Sequence, residues 1–303
     1  MRSRFLIIAL IFLALLCMCF SAQAITSGNY LYELTNKNDV RITQYNGDSA
    51  DVAIPASFDG HFVVEIGNSA FAWHSSIVSV IIPEKVTYIG QAAFEACTGL
   101  ENITFSKALK EIGGRAFYGC TKLKSVSISD GVQSINNMTF CCCDSLMDVV
   151  LPDTLTSIGD MAFYKCIRLT SIRIPESVTS IGDSSFAYCE ELLSVSIPNN
   201  VSTIGEVAFG FCEKLESVVI QEGVKSIEDG AFFMCTSLSK VVIPSSVSNI
   251  GDGAFHEMDW DTNGLIPIED LVCEVYRNSY AEQYCIDNNI AYIYSNPQDD
   301  LNP

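Results

Sequence analysis

The feature that most constrains the fold is a 23-residue repeat that runs through most of the chain. Phe recurs nine times at this interval, while Ile, Cys and Leu keep the same interval at positions of their own. The repeated phenylalanines are Phe71, Phe94, Phe117, Phe140, Phe163, Phe186, Phe209, Phe232 and Phe255. A unit this short cannot bury its own apolar side chains, so successive units must stack and share one continuous core. The repeat therefore predicts an elongated solenoid over residues 54–258.

Within one unit, the residue types indicate the local structure. The segment Leu100–Phe105 alternates apolar and other residues, which is typical of a strand with one buried face. Ala93, Phe94 and Cys97 have the spacing of a short helical or 3₁₀ turn. Gly90 and its equivalents in other coils indicate a turn with positive φ. We therefore expect an α/β repeat solenoid of 23-residue coils, with a parallel sheet along one face and short helical or 3₁₀ turns.

The chain resembles the BspA-like class of leucine-rich repeats through the pattern I-G-x-x-A-F-x-x-C-x-x-L-x-x-V-x-I-P. The resemblance covers residues 54–255 and extends to an entry coil at Ile54–Gly60 and a closing strand and helix at Val275–Tyr284. It implies a right-handed leucine-rich-repeat superhelix. It also implies a secreted or cell-surface protein that binds host or matrix proteins or neighbouring microbes, although partners vary within the family and none carries over.

The first residues predict a cleaved signal peptide over residues 1–24. A short basic start precedes an apolar run from Phe5 to Phe20, and the small residues Ala22 and Ala24 follow where a signal peptidase cleaves. We therefore expect a secreted or cell-surface protein. No second apolar stretch of about 20 residues follows, so no membrane insertion of the mature chain is expected.

The segments on either side of the repeats are expected to protect the ends of the solenoid. Stacked repeats expose an apolar face at each end, which a capping segment must cover. Residues 25–53 are expected to form the N-terminal cap. Residues 259–294 are expected to hold an insertion and the C-terminal cap, and residues 295–303 are a polar tail.

Charge and residue content point away from nucleic acid and from catalysis. The formal net charge is −19, and all 36 acidic residues follow the predicted signal peptide, which would repel nucleic acid and anionic membranes. The only histidines are His61, His74 and His256, which lie on separate coils. The sequence has no nucleophile-elbow, zinc-protease or phosphate-binding glycine motif. We therefore expect a non-catalytic protein that requires no cofactor.

One candidate metal site lies where the repeat is interrupted by an insertion. Its expected Ca²⁺ ligands are Asp259, Asp261, Asn263, the carbonyl of Leu265, and Asp270. This spacing resembles EF-hand and dockerin-type loops, in which alternate oxygen ligands surround one ion. Bound Ca²⁺ would stiffen the cap, and a plain solvated turn over Asn263 and Gly264 is the alternative.

Eleven cysteines follow the predicted signal peptide, and seven of them occupy one phase of the repeat. We expect these seven to be buried free thiols, because stacked side chains that point in parallel directions disfavour a disulfide. Cys273 and Cys285 in the closing coil are either bridged or free. Cys141 and Cys142 point away from the repeat position Cys143 and are expected to be partly exposed.

The candidate binding surface has two parts. Small polar residues at exposed strand positions form a flat face, which either is solvated or docks a partner. Aromatic residues beside the turn form a ridge, and aromatic side chains are enriched in binding cores. The ridge residues are Trp73, Tyr118, Tyr164, Tyr188, Phe211 and Phe233. We expect this surface to bind an extracellular protein or glycan. The alternative function is that of a structural envelope component that self-associates.

Overall fold

The computed structural model describes residues 24–295, so nearly all of the predicted signal peptide and of the polar tail lies outside the described residues. The described chain folds into a β-solenoid of about 11 stacked coils of ~23 residues. Successive coils are joined by backbone hydrogen bonds, as when the N–H of Phe94 donates to the carbonyl of Ala116. The predicted stacking of repeats is therefore confirmed.

One ladder of strands follows the Leu-x-x-Ile segments of the repeat. Its strands pair in parallel within three sheets and keep the repeat interval, so that Val195 lies opposite Val218. The strands are β4 (Asp51–Ala53), β7 (Ser79–Ile81), β9 (Asn102–Thr104), β11 (Ser125–Ser127), β13 (Asp148–Val150), β16 (Ser194–Ile197), β18 (Ser217–Ile220), β20 (Lys240–Val242), β24 (Val272–Val275) and β25 (Ala291–Tyr294). This ladder is the predicted parallel sheet face.

A second ladder runs along the Val-x-x-Ile segments, and the sequence did not predict it. Its strands are β6 (His61–Ile66), β8 (Tyr88–Ile89), β10 (Glu111–Ile112), β12 (Ser134–Ile135), β14 (Ser157–Ile158), β15 (Ser180–Ile181), β17 (Thr203–Ile204), β19 (Ser226–Ile227) and β21 (Asn249–Ile250). Neighbouring strands pair in parallel, and β5 (Ser57–Phe58) pairs antiparallel with β6. The solenoid therefore has a second parallel ladder besides the predicted sheet face. Most of these strands have two residues, which is too short for an alternating pattern to show.

The turn around each repeated Phe is not helical. In the coil of Phe94, the N–H of Ala93 donates to the carbonyl of Gly90 within the coil, whereas the N–H of Phe94 donates to the next coil. Because every second N–H is used between coils, a continuous helical ladder cannot form. Among residues 24–295, the one helix is α1 (Tyr280–Asp287) in the C-terminal cap. The predicted helical or 3₁₀ turns, and with them the α/β class, are therefore not confirmed.

Each coil contains left-handed residues, but not at the predicted glycines. The residues two before and two after the repeated Phe have positive φ, such as Ala92 (55°) and Ala96 (56°) around Phe94. The repeated glycines are needed for a different reason, which is the close approach of stacked coils. A Cβ on Gly182 would lie 2.5 Å from Oδ1 and 2.7 Å from the backbone nitrogen of Asp160. The expectation of positive φ at Gly90 and its equivalents is wrong.

The core is a column of phenylalanine rings along the axis of the solenoid. All nine repeated phenylalanines are fully buried. Consecutive rings stack in parallel, with centroids 4.9 Å apart between Phe71 and Phe94 and 5.5 Å apart between Phe140 and Phe163. Each ring therefore packs against the coils on both sides, which is the continuous interior that the repeat predicts.

Both ends of the column are covered. At the N-terminal end, the antiparallel strands β1 (Ile25–Ser27), β2 (Tyr30–Leu34) and β3 (Val40–Tyr45) place Tyr45 on the ring of Phe71, with centroids 5.0 Å apart. At the C-terminal end, Tyr284 of α1 meets Phe255 edge-on at 6.2 Å. The inserted segment forms a hairpin of β22 (His256–Asp259) and β23 (Gly264–Pro267). Within the described range, no helix has both the length and the apolar character needed to cross a membrane.

Candidate binding surface

Four of the six predicted ridge residues form one continuous group on consecutive coils. Tyr188 and Phe211 stack with their ring centroids 4.4 Å apart and their planes 3° apart. Tyr164 meets Tyr188 edge-on at 5.3 Å, and Phe233 meets Phe211 edge-on at 5.4 Å. All four side chains are partly exposed. We call Tyr164, Tyr188, Phe211 and Phe233 the aromatic cluster.

The position of each residue within its coil explains why the rings lie on the surface. Tyr188 and Phe211 follow the repeated Phe by two residues and occupy the left-handed position, with a φ of 61° in both. Tyr164 and Phe233 follow the repeated Phe by one residue. Both positions lie beside the buried Phe column, so rings placed there on successive coils meet each other outside the core.

The other two ridge residues stand apart from the aromatic cluster. Trp73 lies near the N-terminal end and is 74% exposed. Tyr118 is covered by Arg115, whose guanidinium carbon lies 4.3 Å from the ring centroid. The coil between Tyr118 and Tyr164 carries Cys141 and Cys142 at these positions instead of aromatic residues. The structure therefore brings together four of the six predicted residues and leaves two separate.

A cation lies beside the aromatic cluster. The Nζ atom of Lys165 is 5.6 Å from the ring centroid of Tyr164 and 5.5 Å from that of Tyr188. An ammonium group at this distance is attracted by the ring faces. Burial raises the pKa of the Tyr164 phenol, which keeps this hydroxyl neutral at physiological pH. The aromatic cluster therefore combines apolar ring surface with the neutral phenol of Tyr164 and one positive charge.

The exposed face of the first ladder is less uniformly polar than the sequence predicts. Ile81, Val150 and Val219 occupy the same column as Thr104 and are 55%, 59% and 44% exposed. The repeat could have revealed these apolar residues in the sequence, because each lies a multiple of 23 positions from Thr104. The face therefore consists of small polar residues with separate apolar side chains among them.

The predicted calcium ligands lie in the hairpin of the insertion and directly after it. Asp259 pairs with Gly264 at the tip of the hairpin, and its carboxylate accepts hydrogen bonds from the N–H of Asp261 at 3.0 Å and from the Thr262 hydroxyl. Asp270 follows the other end of the hairpin. In the described part of the chain, no group of three or more His, Cys, Asp or Glu side chains is placed to hold a metal ion. Calcium binding by Asp259, Asp261, Asn263, Leu265 and Asp270 stays a prediction.

The three histidines are separate and serve local contacts. The Nδ1 atom of His61 lies 3.2 Å from the side-chain nitrogen of Asn38, and Nε2 of His74 lies 2.7 Å from the backbone carbonyl oxygen of Tyr45. His256 is buried, and its Nδ1 has no hydrogen-bond partner. A general base beside a nucleophile in a pocket is the usual requirement for hydrolytic catalysis, and these histidines do not provide it.

The repeat cysteines are buried free thiols. Each is fully buried, and its thiol donates to a backbone carbonyl of the preceding coil, as Cys143 does to Phe117 at 3.2 Å. Burial raises the pKa of Cys143 and keeps its thiol protonated. Cys273 and Cys285 are likewise buried and free, and a hydrogen bond between them raises the pKa of Cys273. The seven repeat cysteines therefore contribute packing and hydrogen bonds to the core of the solenoid.

Comparison with known sequences and structures agrees with this geometry. The sequence pattern described as the BspA type leucine-rich repeat region matches six copies, over residues 64–192 and 156–287. A leucine-rich repeat protein from Bacteroides ovatus is 27% identical, over 89% of this chain and 67% of that chain, with a TM-score of 0.63. Among curated proteins, none matches the sequence.

Two further bacterial structures resemble the chain in sequence. A leucine rich cell surface protein from Faecalibacterium prausnitzii is 25% identical, over 88% of this chain and 98% of that chain, with a TM-score of 0.41. The T. pallidum leucine rich repeat protein is 26% identical, over 90% of this chain and 98% of that chain, with a TM-score of 0.43.

Proposed function

Because the chain belongs to the BspA-type leucine-rich repeat family, we propose that it is an extracellular binding module without catalytic activity. The aromatic cluster docks a partner protein outside the cell. The observation that carries this proposal is the run of four partly exposed rings on consecutive coils, from Tyr164 to Phe233. Three steps of ~4.8 Å make this strip roughly 15 Å long, which suits a central contact of an interface surrounded by polar residues.

Location outside the cell is part of the same proposal. It is supported by the signal peptide that the sequence predicts over residues 1–24 and by the family resemblance. The high acidity of the chain, with a net charge of −19, favours a partner with a basic surface around the aromatic contact. Nucleic acid and anionic membranes are disfavoured as partners by the same charge.

The test is binding of the mature chain to a panel of purified matrix and cell-surface proteins, measured by surface plasmon resonance. A double variant, Tyr188→Ser with Phe211→Ser, removes the stacked pair at the centre of the aromatic cluster. We expect saturable binding to a partner by the unaltered chain and at least a tenfold weaker binding by the double variant. Tyr118→Ser is the matched control, because Tyr118 also lies on the surface but outside the aromatic cluster.

Two results would contradict the proposal. One is equal binding by the double variant and the unaltered chain, provided that both melt at similar temperatures. The other is binding to oligosaccharides on a glycan array with no binding to any protein of the panel, which would make glycan the partner class.

A second candidate function, self-association of a structural envelope component, is supported by the C-terminal end. The strand β25 pairs with β24, and Ile293 on it is 53% exposed. Such an edge can pair with a strand of another chain. Sedimentation of the mature chain at increasing concentration tests this function. If the chain self-associates through this edge, its apparent mass should rise with concentration, and Ile293→Lys should abolish the rise.

A further inference from the structure

Two adjacent thiols lie in the coil between Tyr118 and the aromatic cluster. The Sγ atoms of Cys141 and Cys142 are 3.6 Å apart. The next residue, Cys143, belongs to the buried column, and its thiol donates to the carbonyl of Phe117. The coil therefore contains three consecutive cysteines. The thiols of the first two contact each other, and the third is buried in the core.

Cys142 is accessible from the solvent. It is partly exposed and occupies the left-handed position of its coil, with a φ of 59°. In the preceding coil this position is Gly119, where even an added Cβ would come no closer than 3.9 Å to any atom outside its immediate neighbours. No side chain of the preceding coil therefore occupies the position equivalent to Cys142. Cys141 is buried behind it.

The surroundings favour a thiolate on Cys142 and a thiol on Cys141. The hydrogen bond with Cys141 lowers the pKa of Cys142, and the ammonium group of Lys165 in the next coil and a hydrogen bond with Tyr118 lower it further. Burial and the carboxylate of Asp144 act in the opposite direction. The same thiol–thiol bond and burial raise the pKa of Cys141. A thiolate is the reactive form of cysteine, so the exposed member of the pair is also the more nucleophilic one.

We propose that Cys141 and Cys142 are a redox-active thiol pair that small extracellular disulfides oxidise to a disulfide between the two residues, with Cys142 as the attacking thiol. The thiolate of Cys142 attacks one sulfur of the small disulfide, breaks its S–S bond and releases one thiolate. Cys141 then gives its proton to the solvent and attacks Sγ of Cys142, which displaces the second thiolate. Two cysteines are oxidised and one disulfide is reduced to two thiols, which take up the proton that Cys142 loses when it ionises and the proton that Cys141 releases.

Cys142 differs in its exposure from every other cysteine among residues 24–295, because it alone is not buried. The repeat cysteines and the pair Cys273 and Cys285 are buried, so a dissolved disulfide cannot reach them in the folded chain. The proposal requires no partner at the aromatic cluster, but it rests on the extracellular location proposed above.

The test is oxidation of the reduced, folded mature chain by oxidised glutathione, followed by acid quench, alkylation in denaturant and peptide mass mapping. Trypsin yields a peptide of residues 125–165, which contains Cys141, Cys142 and Cys143 and no other cysteine. We expect this peptide to lose two hydrogens and to carry one alkyl group, on Cys143. The tryptic peptides of the repeat cysteines should carry an alkyl group on every cysteine.

Single variants assign the two roles. Cys141→Ser should stop at a mixed disulfide between glutathione and Cys142, whereas Cys142→Ser should remain unoxidised at Cys141. Cys142→Gly, which suits the left-handed backbone as Gly119 does, serves as a second variant if Cys142→Ser folds poorly. Three alkyl groups on the peptide of the unaltered chain would overturn the proposal. A mixed disulfide on Cys141 in Cys142→Ser or Cys142→Gly would overturn the assignment of the attacking thiol.

Discussion

The thiol of Cys166 donates a hydrogen bond to the backbone carbonyl of Phe140, with an Sγ–O distance of 3.3 Å. The two residues are 26 positions apart, so the bond joins one coil to the preceding one. The same bond recurs in every coil from Cys97 to Cys235. The repeat cysteines are therefore hydrogen-bond donors as well as small apolar side chains of the core.

Replacing one of these cysteines should therefore cost more than the loss of a small apolar group. We expect Cys166→Ala to lower the free energy of unfolding by about 1–3 kcal/mol, because the buried carbonyl of Phe140 loses its thiol partner and a small void remains. Thermal unfolding followed by circular dichroism measures the effect. Ser171→Ala, at an exposed position of the same coil, is the control and should melt like the unaltered chain. Equal melting of both variants would mean that the thiol bond contributes nothing.

Glycine at the contact between coils should be irreplaceable. A Cβ on Gly182 would lie 2.5 Å from Oδ1 of Asp160 and 2.8 Å from the backbone carbon of Gly159, and the stacked backbone cannot move away. We expect Gly182→Ala to lower the free energy of unfolding by about 1–3 kcal/mol or more, as overpacking does elsewhere. Urea denaturation of the purified chain provides the measurement.

The matched control for this substitution is Gly264→Ala in the C-terminal hairpin. There the nearest atom to an added Cβ is the Thr262 hydroxyl oxygen at 3.2 Å, which belongs to an exposed side chain that can rotate. We expect a much smaller change for Gly264→Ala. If Gly182→Ala were as stable as the unaltered chain, close approach would not be the reason for the repeated glycine.

The left-handed position two residues before the repeated Phe predicts a stabilising change. Val207 adopts a φ of 53°, which is unfavourable for a β-branched side chain, whereas the next two coils have Gly230 and Gly253 at this position. We expect Val207→Gly to raise the melting temperature, because relief of about 1–2 kcal/mol of backbone strain exceeds the loss of a partly exposed side chain. Ala208→Gly, next to it but fully buried, should lower the melting temperature. Destabilisation by both substitutions would contradict the strain argument.

The parts of the fold that the sequence predicted are those in which one residue type determines the structure. Phe stands at every 23rd position, and the nine rings can share one core only if successive coils stack. The column from Phe71 to Phe255 follows from this spacing alone. The left-handed backbone at Ala92 and Ala96 could not be predicted, because Ala has no preference for positive φ. Hydrogen bonds between stacked coils impose this conformation, and no single coil contains that information.

The same reasoning applies to the candidate sites. The stacked pair of Tyr188 and Phe211 was predictable, since both occupy the same position of consecutive repeats. The spacing of Asp259 and Asp270 predicted a loop around an ion, but it could not show that Asp259 pairs with Gly264 in a hairpin. Ligand spacing along a chain determines ion binding only when the backbone curves around one point, and strand pairing within the insertion decides this locally.

Acidification should weaken the C-terminal end of the solenoid through His256. This side chain is buried, its Nδ1 has no hydrogen-bond partner, and burial lowers its pKa although the carboxylate of Asp252 opposes this effect. A lowered folded pKa means that the unfolded chain binds the proton more tightly. The stabilising contribution of neutral His256 is therefore complete above the ordinary value of 6.5 and is lost as the pH falls from that value towards the lower folded pKa.

Comparison of the unaltered chain with His256→Phe isolates this contribution from the titration of the carboxylates. Phe is suitable because Phe233 occupies the corresponding position of the preceding coil. Between pH 6.5 and 5, the free energy of unfolding of the unaltered chain should fall more steeply than that of His256→Phe, by at most about 1.4 kcal/mol per pH unit for one proton. Urea denaturation at several pH values gives both slopes. Identical slopes would mean that His256 binds its proton equally well in the folded and unfolded chains, and that its burial has no consequence for stability.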